Sequence, residues 1–352
     1  MTSFKRYMPG VLAIAGATLL MTAPAQAGPV ADFYKGKTIT AISGGGAGGG
    51  FSFNARVLGR HMVRHIPGNP DWVVTAMPGA GGARSMKYIN NAAAQDGTVI
   101  GAVLPPSILS PLLRKKIGYD SAKFHWLGSI TPMAQVISVW NTHGIKSLED
   151  AKKRVVILGT SSKLSSGYLI PALVNALAGT KFKVISGYRG GDRQNNAMQK
   201  GEIQGRGSFY NSYKVTKPHW LKEKTIIHMV QLGPFIQDLP NVPRVRDLAR
   251  TDEERRIVKF LQIGAQVGHG FYVSPNVPRA RVAALRAAFD ATMKDPAYLA
   301  EAKKRKLIVD PVSGRDLQRL IVAAMATPKA VIDKFKQLVK LDTVKLKKAK
   351  KK

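Results

Sequence analysis

Cysteine is missing from this 352-residue sequence. Its absence excludes disulfide bonds and every site that depends on a thiolate, whether a catalytic nucleophile or a zinc ligand. The fold must therefore be held by a packed apolar core, which a chain of this length is able to build.

Acidic residues are scarce, with 21 Asp and Glu against 54 Lys and Arg, which gives a formal net charge of +33. The basic residues are spread along the whole chain, and such a positive field attracts anions and acidic surfaces. Nucleic acid is a candidate partner on charge alone. None of the usual nucleic-acid-binding motifs occurs, however, so no nucleic-acid partner is predicted.

Long apolar runs are also lacking, apart from Val11–Leu20 near the N-terminus. Lys5 and Arg6 precede that run and the A-x-A sequence Ala25–Ala27 follows it, an order typical of a secretory signal peptide. The run is shorter than the roughly 20 residues of a spanning helix. Residues 1–27 are therefore predicted to be a signal peptide, with a buried N-terminal helix as the alternative. The remaining length suits two domains of about 150 residues each.

The C-terminus is strongly basic, with six lysines in the last eight residues, Lys345–Lys352. Blocks of like charge remain solvated, so residues 343–352 are predicted to form a disordered basic tail. Such a tail is expected to be dispensable for ligand binding, and it is suited to adsorb to an anionic membrane surface.

Three segments of the chain repeat one order: a short strand, a loop rich in glycine or hydroxyl groups, and a helix. This order is typical of the parallel sheets of α/β proteins. The strands are predicted at Thr38–Ser43, Trp72–Met77 and Val155–Leu158, and the loops that follow them at Gly44–Gly50, Pro78–Gly82 and Gly159–Ser166. A further amphipathic helix is predicted from Pro278 to Lys294, with Val282, Leu285, Phe289 and Met293 on its buried stripe.

These loops are the candidate ligand site, because ligands of open α/β sheets bind beyond the carboxyl ends of the strands. Glycine lets the backbone approach a ligand, and the helix that follows presents unpaired N–H groups to a carboxylate or phosphate. Each loop by itself also fits an ordinary tight turn. Three such loops at corresponding strand ends favour anion binding.

Enzyme motifs are incomplete in these loops. Gly44, Gly46 and Gly49 match G-x-G-x-x-G only because the run is nearly all glycine, and no acidic residue ends the next strand. His61 and His65 have the spacing of zinc ligands on a helix, but Met62 stands where a metalloprotease needs glutamate. The serines lack a G-x-S-x-G elbow. No catalytic residue, metal or cofactor is therefore assigned. An exported hydrolase and a basic surface-adhesion protein remain alternatives.

Several segments resemble the receptors of tripartite tricarboxylate transporters, also called Bug-type extracytoplasmic solute receptors. Met77–Gly101 is similar to the family's P-G-A-G-G helix segment with its closing Asp-Gly turn. Gly159–Leu169, Ser186–Gly191 and Gly201–Ile203 resemble its serine loop, its tyrosine turn and the segment after that turn, and 274–296 resembles its C-terminal helix entry. The likeness covers nearly all of the chain after residue 27.

The resemblance implies a two-lobed α/β fold of the Venus-flytrap, type II-like periplasmic-binding-protein class. Lobe 1 is expected over 28–130 and 264–342, and lobe 2 over 131–263. The implied function is a periplasmic receptor, not an enzyme, that binds a small carboxylate between the lobes and delivers it to membrane transporter subunits. A monomer is expected.

The resemblance carries the site onto the loops already chosen from their composition. The expected ligand-binding residues are Gly49, Gly50, Phe51, Ser52, Pro78, Gly79, Ala80, Gly81, Gly82, Pro105, Thr160, Ser161, Ser162, Ser165 and Tyr188. Phe51 and Ser52 depart from the family, which often has Thr-Asp there. Ser52 is expected to cap the helix in place of the aspartate, and the phenyl ring favours a bulkier or more apolar anion.

Charged side chains are few in these loops, with Lys163 inside the third and Arg84 and Arg189 flanking the others. The ligand's negative charge is therefore expected to meet backbone N–H groups of Gly79–Gly82. The hydroxyl donors expected beside them are Thr160, Ser161 and Ser165.

Overall fold

The computed structural model of this protein describes residues 28–341. The predicted signal peptide (1–27) and the predicted basic tail (343–352) lie outside the described residues. Within 28–341, no helix has the length and apolar character needed to cross a membrane.

Eleven strands form two mixed sheets in the described chain. The first sheet has the order β11-β4-β10-β3-β1-β2 and the second β7-β6-β8-β5-β9. The strands are β1 Thr38–Ser43, β2 Asp71–Ala76, β3 Val99–Ala102, β4 His125–Ser129, β5 Gln135–Trp140, β6 Val156–Thr160, β7 Phe182–Ser186, β8 Gly205–Phe209, β9 Ile226–Leu232, β10 Gly270–Val273 and β11 Val312–Ser313.

Helices cover both sheets, and their positions follow the predicted alternation with the strands. They are α1 Pro29–Tyr34, α2 Gly50–Met62, α3 Ala83–Asn91, α4 Pro106–Leu113, α5 Leu148–Lys153, α6 Ser166–Ala178, α7 Gly191–Gln199, α8 Tyr210–Thr216, α9 Pro218–Lys222, α10 Asp252–Val267, α11 Arg279–Thr292, α12 Pro296–Lys304, α13 Gly314–Met325 and α14 Lys329–Leu338.

The parallel parts of the sheets align the candidate loops. In the first sheet β1 lies parallel between β2 and β3, so the loops after β1 and β2 emerge at one edge. In the second sheet β6 lies parallel to β7 and β8, which places the serine loop at the corresponding edge. The α/β prediction is confirmed, and the two-lobed arrangement gives these loops a common cleft.

Two crossing segments join the sheets and are hydrogen-bonded to each other. The N–H of His269 donates to Thr131 O, and the N–H of Ile130 donates to His269 O, both at 3.1 Å. Gly268 has φ +50°, and a Cβ there would lie 2.0 Å from Thr131 O. Only glycine fits this position, because the backbones of the two crossing segments are in close contact.

The C-terminal helix α14 packs against both halves of the molecule. It contacts α4 beside the first sheet and α6 beside the second, and it also contacts α10. Phe335 of α14 is fully buried, and its ring lies 5.3 Å from that of Phe260 on α10. The C-terminal helix therefore connects helices that lie beside the two sheets.

Candidate functional site

The cleft between the sheets holds a cavity of about 750 Å³. All three predicted loops line it, together with residues of α7, β8 and α8. Within residues 28–341, the charged residues that line it are four basic and one acidic: Arg84, Arg189, Arg206, Lys306 and Asp192. This surplus of positive charge favours an anionic ligand.

The glycine turn after β2 has its backbone in a rare conformation. Gly79, Ala80, Gly81 and Gly82 all have positive φ, of 143°, 48°, 67° and 95°. The N–H groups of Gly82 and Arg84 donate to Gly79 O, whereas the hydrogen bonds of the turn do not use those of Ala80 and Gly81. Successive N–H groups in such a conformation form an anion-binding concavity. The positive φ of Ala80 costs about 1–3 kcal/mol, and such strain concentrates at ligand sites.

The same turn lies against the serine loop of the other lobe. A Cβ on Gly81 would lie 3.2 Å from Leu164 O, and a Cβ on Gly82 would lie 2.7 Å from the Leu104 side chain. Glycine is therefore required here for packing as well as for backbone conformation.

The hydroxyl groups of the serine loop do not all face a ligand. The Ser165 hydroxyl donates to Ser162 O at 2.6 Å. It also lies 2.5 Å from the Thr160 hydroxyl, which must be the donor of that pair because the Ser165 proton is already used. Ser162 Oγ is a buried atom without a partner in the described chain. Ser161 and Ser162, rather than Thr160 and Ser165, thus have protons free for a ligand.

Helix α2 follows the loop after β1, and no side chain of the described chain caps its N-terminus. The helix begins at Gly50 with Gly49 as its N-cap, and the Ser52 hydroxyl donates to Gly46 O at 2.9 Å. The prediction that Ser52 caps the helix is wrong, because the helix begins earlier and places Ser52 in its first turn. There the hydroxyl stabilises the glycine loop instead.

Phe51 makes an aromatic contact across the cleft. Its ring centroid lies 5.4 Å from that of Phe209 at the end of β8, and 4.7 Å from that of His269 at the crossing. His269 is buried, and burial lowers its pKa to about 4, so its ring is neutral at pH 7. Its Nε2 lies 3.3 Å from Asn54 Nδ2, and an amide donor there makes Nε2 the acceptor. These rings form a predominantly apolar wall.

The sequence predictions missed the polar residues of α7 and β8. Gln194, Asn195, Arg206 and Ser208 are all buried and line the cavity. Asn195 Oδ1 has no hydrogen-bond partner in the described chain. Gln194 and Asn195 follow the tyrosine turn Ser186–Gly191, and the two glycines that end this turn were the one available signal. Arg206 and Ser208 lie on β8, and nothing in their local sequence shows that they face the cleft.

Twelve of the fifteen predicted site residues line the cavity: Gly49, Gly50, Phe51, Pro78, Gly79, Ala80, Gly81, Gly82, Thr160, Ser161, Ser162 and Ser165. Three do not, namely Ser52, Pro105 and Tyr188. Pro105 contacts Gly264 of α10, while its neighbour Pro106 reaches the cavity. Tyr188 packs partly buried against the small core around α8 and α9.

The two histidines considered as zinc ligands pair with carboxylates of α12 instead. His61 Nε2 lies 2.6 Å from Glu301 Oε2, and His65 Nε2 lies 2.7 Å from Asp295 Oδ2. Among residues 28–341, no group of three or more His, Asp or Glu is placed to hold a metal ion. These contacts attach α12 to α2 outside the cleft.

Solved structures share this fold at low sequence identity. The periplasmic binding protein BugD superposes with a TM-score of 0.69 at 17% identity, over 87% of this chain and 98% of BugD. MatC from Rhodopseudomonas palustris, with bound malate, superposes with a TM-score of 0.64 at 19% identity, over 86% of this chain and 99% of MatC. An R. palustris protein with adipate superposes with a TM-score of 0.66 at 17% identity, over 86% of this chain and 97% of that protein.

No protein-family model matches the chain, and no curated protein matches it. The solved structures establish the fold, and the two-lobed periplasmic-binding-protein prediction is confirmed.

Proposed function

We propose that this chain is a receptor of the Bug or tripartite tricarboxylate type. It captures a small carboxylate in the cleft outside the cytoplasmic membrane and delivers it to membrane transporter subunits as a monomer. The proposal combines the family resemblance of the sequence motifs with the shared fold. BugD is a periplasmic binding protein, and two other proteins of this fold hold malate and adipate.

The observation that carries the proposal is the glycine turn Gly79–Gly82. Its consecutive left-handed residues leave the N–H groups of Ala80 and Gly81 for an acceptor at the edge of a positively charged cavity. A carboxylate placed there receives charge-assisted hydrogen bonds, each worth about 1.5–3 kcal/mol. The free hydroxyls of Ser161 and Ser162 supply further donors from the opposite lobe.

An exported hydrolase is the alternative function, and the geometry gives it little support. A hydrolase needs a nucleophile beside a base. His269 is the histidine of the described chain that lines the cavity, and it contacts Asn54 and Phe51 rather than a serine. Ser138 and His228 do lie 2.8 Å apart, but neither lines the cavity.

Native mass spectrometry of the freshly purified protein tests the proposed function, because a tightly held acid is retained during purification. We expect a co-purified carboxylate that is displaced by unfolding and that rebinds in calorimetric titration. The intact mass of the exported protein tests the location, with removal of residues 1–27 expected. A protein that binds no carboxylate, or that retains Met1 in the cytoplasm, would contradict the proposal.

A further inference from the structure

Arg206 is a cation buried in the wall of the cleft. It lies on β8 with only 3% of its surface exposed, and it lines the cavity. Its guanidinium lies 5.4 Å from the centre of the Tyr213 ring. A buried charge is costly unless a counter-charge compensates for it, so its partners decide its role.

The hydrogen-bond partners that the described residues offer to Arg206 are all neutral. Its Nη1 donates to Gly191 O at 2.8 Å and to Gln194 Oε1 at 3.4 Å, its Nε donates to the Tyr213 hydroxyl at 3.3 Å, and its Nη2 donates to Ser208 Oγ. A guanidinium has five N–H groups, so one N–H of Nη2 is left over. No carboxylate of the described chain lies within ion-pair distance of it.

Ser208 is bonded to Arg206 and also lines the cavity. Its oxygen accepts from Arg206, and its own proton makes only a 3.3 Å contact with Phe209 O. A hydroxyl that accepts from a cation becomes a better donor to an anion. The leftover N–H of Arg206 and the Ser208 hydroxyl together form a donor pair in the lobe-2 wall.

We infer that Arg206 pairs with a second anionic group of the ligand and thereby makes the receptor select dianions over monoanions. The inference rests on the proposed function, in which the first carboxylate occupies the glycine turn Gly79–Gly82. That turn belongs to the first sheet and Arg206 to the second. A dianion therefore places one anionic group at the glycine turn and the other at Arg206, and so binds both lobes. A monoanion of equal length leaves Arg206 without a counter-ion.

The variant that tests this is Gln194→Glu, which changes an amide to a carboxylate at nearly constant volume. The new carboxylate lies where Gln194 Oε1 now accepts from Arg206, so it supplies an internal counter-ion. Gln199→Glu is the matched control, because it adds the same charge on the exposed face of the same helix, α7. Arg206→Lys keeps the charge but loses the planar fork of donors.

The probes are straight-chain diacids from succinate to suberate, each compared with the monocarboxylic acid of the same carbon number at pH 7.5. Calorimetry gives the ratio of the two affinities for each protein. For the best diacid we expect a ratio of about 10 to 100 in the unaltered protein and in Gln199→Glu, the size of one lost charge-assisted bond. We expect a ratio near 1 in Gln194→Glu and an intermediate ratio in Arg206→Lys.

The ratio is the readout because Gln194 also donates to Tyr188 O at 3.0 Å, so its replacement alters absolute affinity and stability as well. A purely structural role of Arg206 would lower both affinities equally and leave the ratio unchanged. That result would overturn the inference about Arg206 and leave the proposed function standing. If no acid of either kind binds the unaltered protein, the proposed function fails and the inference fails with it.

Discussion

Individual hydroxyl groups of the serine loop have different roles at the residue scale. The Thr160 hydroxyl donates to Ser165 Oγ and the Ser165 hydroxyl donates to Ser162 O, so both residues stabilise the conformation of the loop. Ser161 and Ser162 line the cavity with protons to spare. The four hydroxyls are alike in sequence, and only their neighbours distinguish them.

Alanine substitutions should separate these roles. We expect Ser161→Ala and Ser162→Ala each to weaken carboxylate binding about tenfold, since each removes one charge-assisted hydrogen bond, and to leave the melting temperature unchanged. Ser165→Ala should instead lower the stability by about 1 kcal/mol, because Thr160 loses its acceptor. Calorimetric titration and thermal unfolding measure the two effects. Equal effects on binding from all three changes would contradict this division.

Gly81→Asp should be the most damaging single change in the site. It introduces a Cβ 3.2 Å from Leu164 O at φ +67°, and it places a negative charge where the ligand's carboxylate is held. We expect loss of measurable binding by calorimetry. Arg84→Ala is the comparison, with a smaller loss expected. The reversed order would show that an arginine, and not the backbone turn, holds the first carboxylate.

The buried His269 and the half-buried His228 should make the stability of the protein sensitive to acid. Burial lowers the pKa of His269 and of His228 to about 4, below the ordinary value of 6.5, so the fold favours the neutral rings. The unfolded chain binds protons more readily below pH 6.5, and stability is therefore lost as the pH falls from about 6.5 towards 4. Each ring accounts for at most about 3 kcal/mol over that range.

Replacing one ring should remove part of this pH dependence. We expect His269→Gln and His228→Gln each to reduce the fall in unfolding free energy between pH 7 and pH 4.5, and the double variant to reduce it most. Urea unfolding followed by circular dichroism across this range provides the measurement. An unchanged pH profile in the double variant would show that other groups control the acid response.

At the scale of elements, Asp295 connects two helices. Its Oδ1 accepts from the N–H groups of Ala297 and Tyr298 at the start of α12, and its Oδ2 pairs with Arg64 and His65 beside α2. The hydrogen bond from Arg64 holds the pKa of the Asp295 carboxyl well below its usual range. One carboxylate therefore both caps a helix and attaches it to the lobe.

Asp295→Ala should consequently destabilise the protein by about 1–2 kcal/mol, the usual cost of a lost N-cap. Asp252→Ala provides the control with the same change of charge. Its exposed carboxylate pairs with Arg255 three residues along α10, and because solvent screens such a pair we expect a clearly smaller loss of stability. Chemical denaturation at pH 7 measures the free energy of unfolding of both variants. Similar losses in both variants would show that the attachment of α12 contributes little.

At the scale of the whole molecule, the lobes contact each other through Phe51 and Phe209, through Gly81 and Leu164, and at the crossing through Thr131 and His269. The first two contacts border the cavity and can separate, whereas the crossing is held by backbone hydrogen bonds. We therefore expect the crossing to act as a hinge about which the cleft closes on its ligand.

Ligand binding should therefore reduce the radius of gyration measured by small-angle scattering. Phe51→Ala removes the aromatic contact, and we expect it to weaken both closure and affinity while the fold is kept. Leu299→Ala provides a control that removes an exposed apolar side chain from α12 outside the cavity. Equal radii with and without saturating ligand would contradict the closing motion.

The sequence by itself determined the alternation of strands and helices and the positions of the three loops. β1 over Thr38–Ser43 and the buried stripe of α11 were predicted correctly, because apolar periodicity and glycine act over a few neighbouring residues. The glycine turn was identified for the same reason, since left-handed backbone is a local requirement.

The tertiary structure alone decided which side chains face the ligand. Arg206 stands in the sequence Gly-Arg-Gly-Ser, which carries no sign that α7 and α8 bury its charge. Ser52 was assigned as a cap because the start of α2 is ambiguous in a run of glycines. Burial, proton donation and charge pairing depend on residues distant in sequence, and these meet only when the two sheets enclose the cleft.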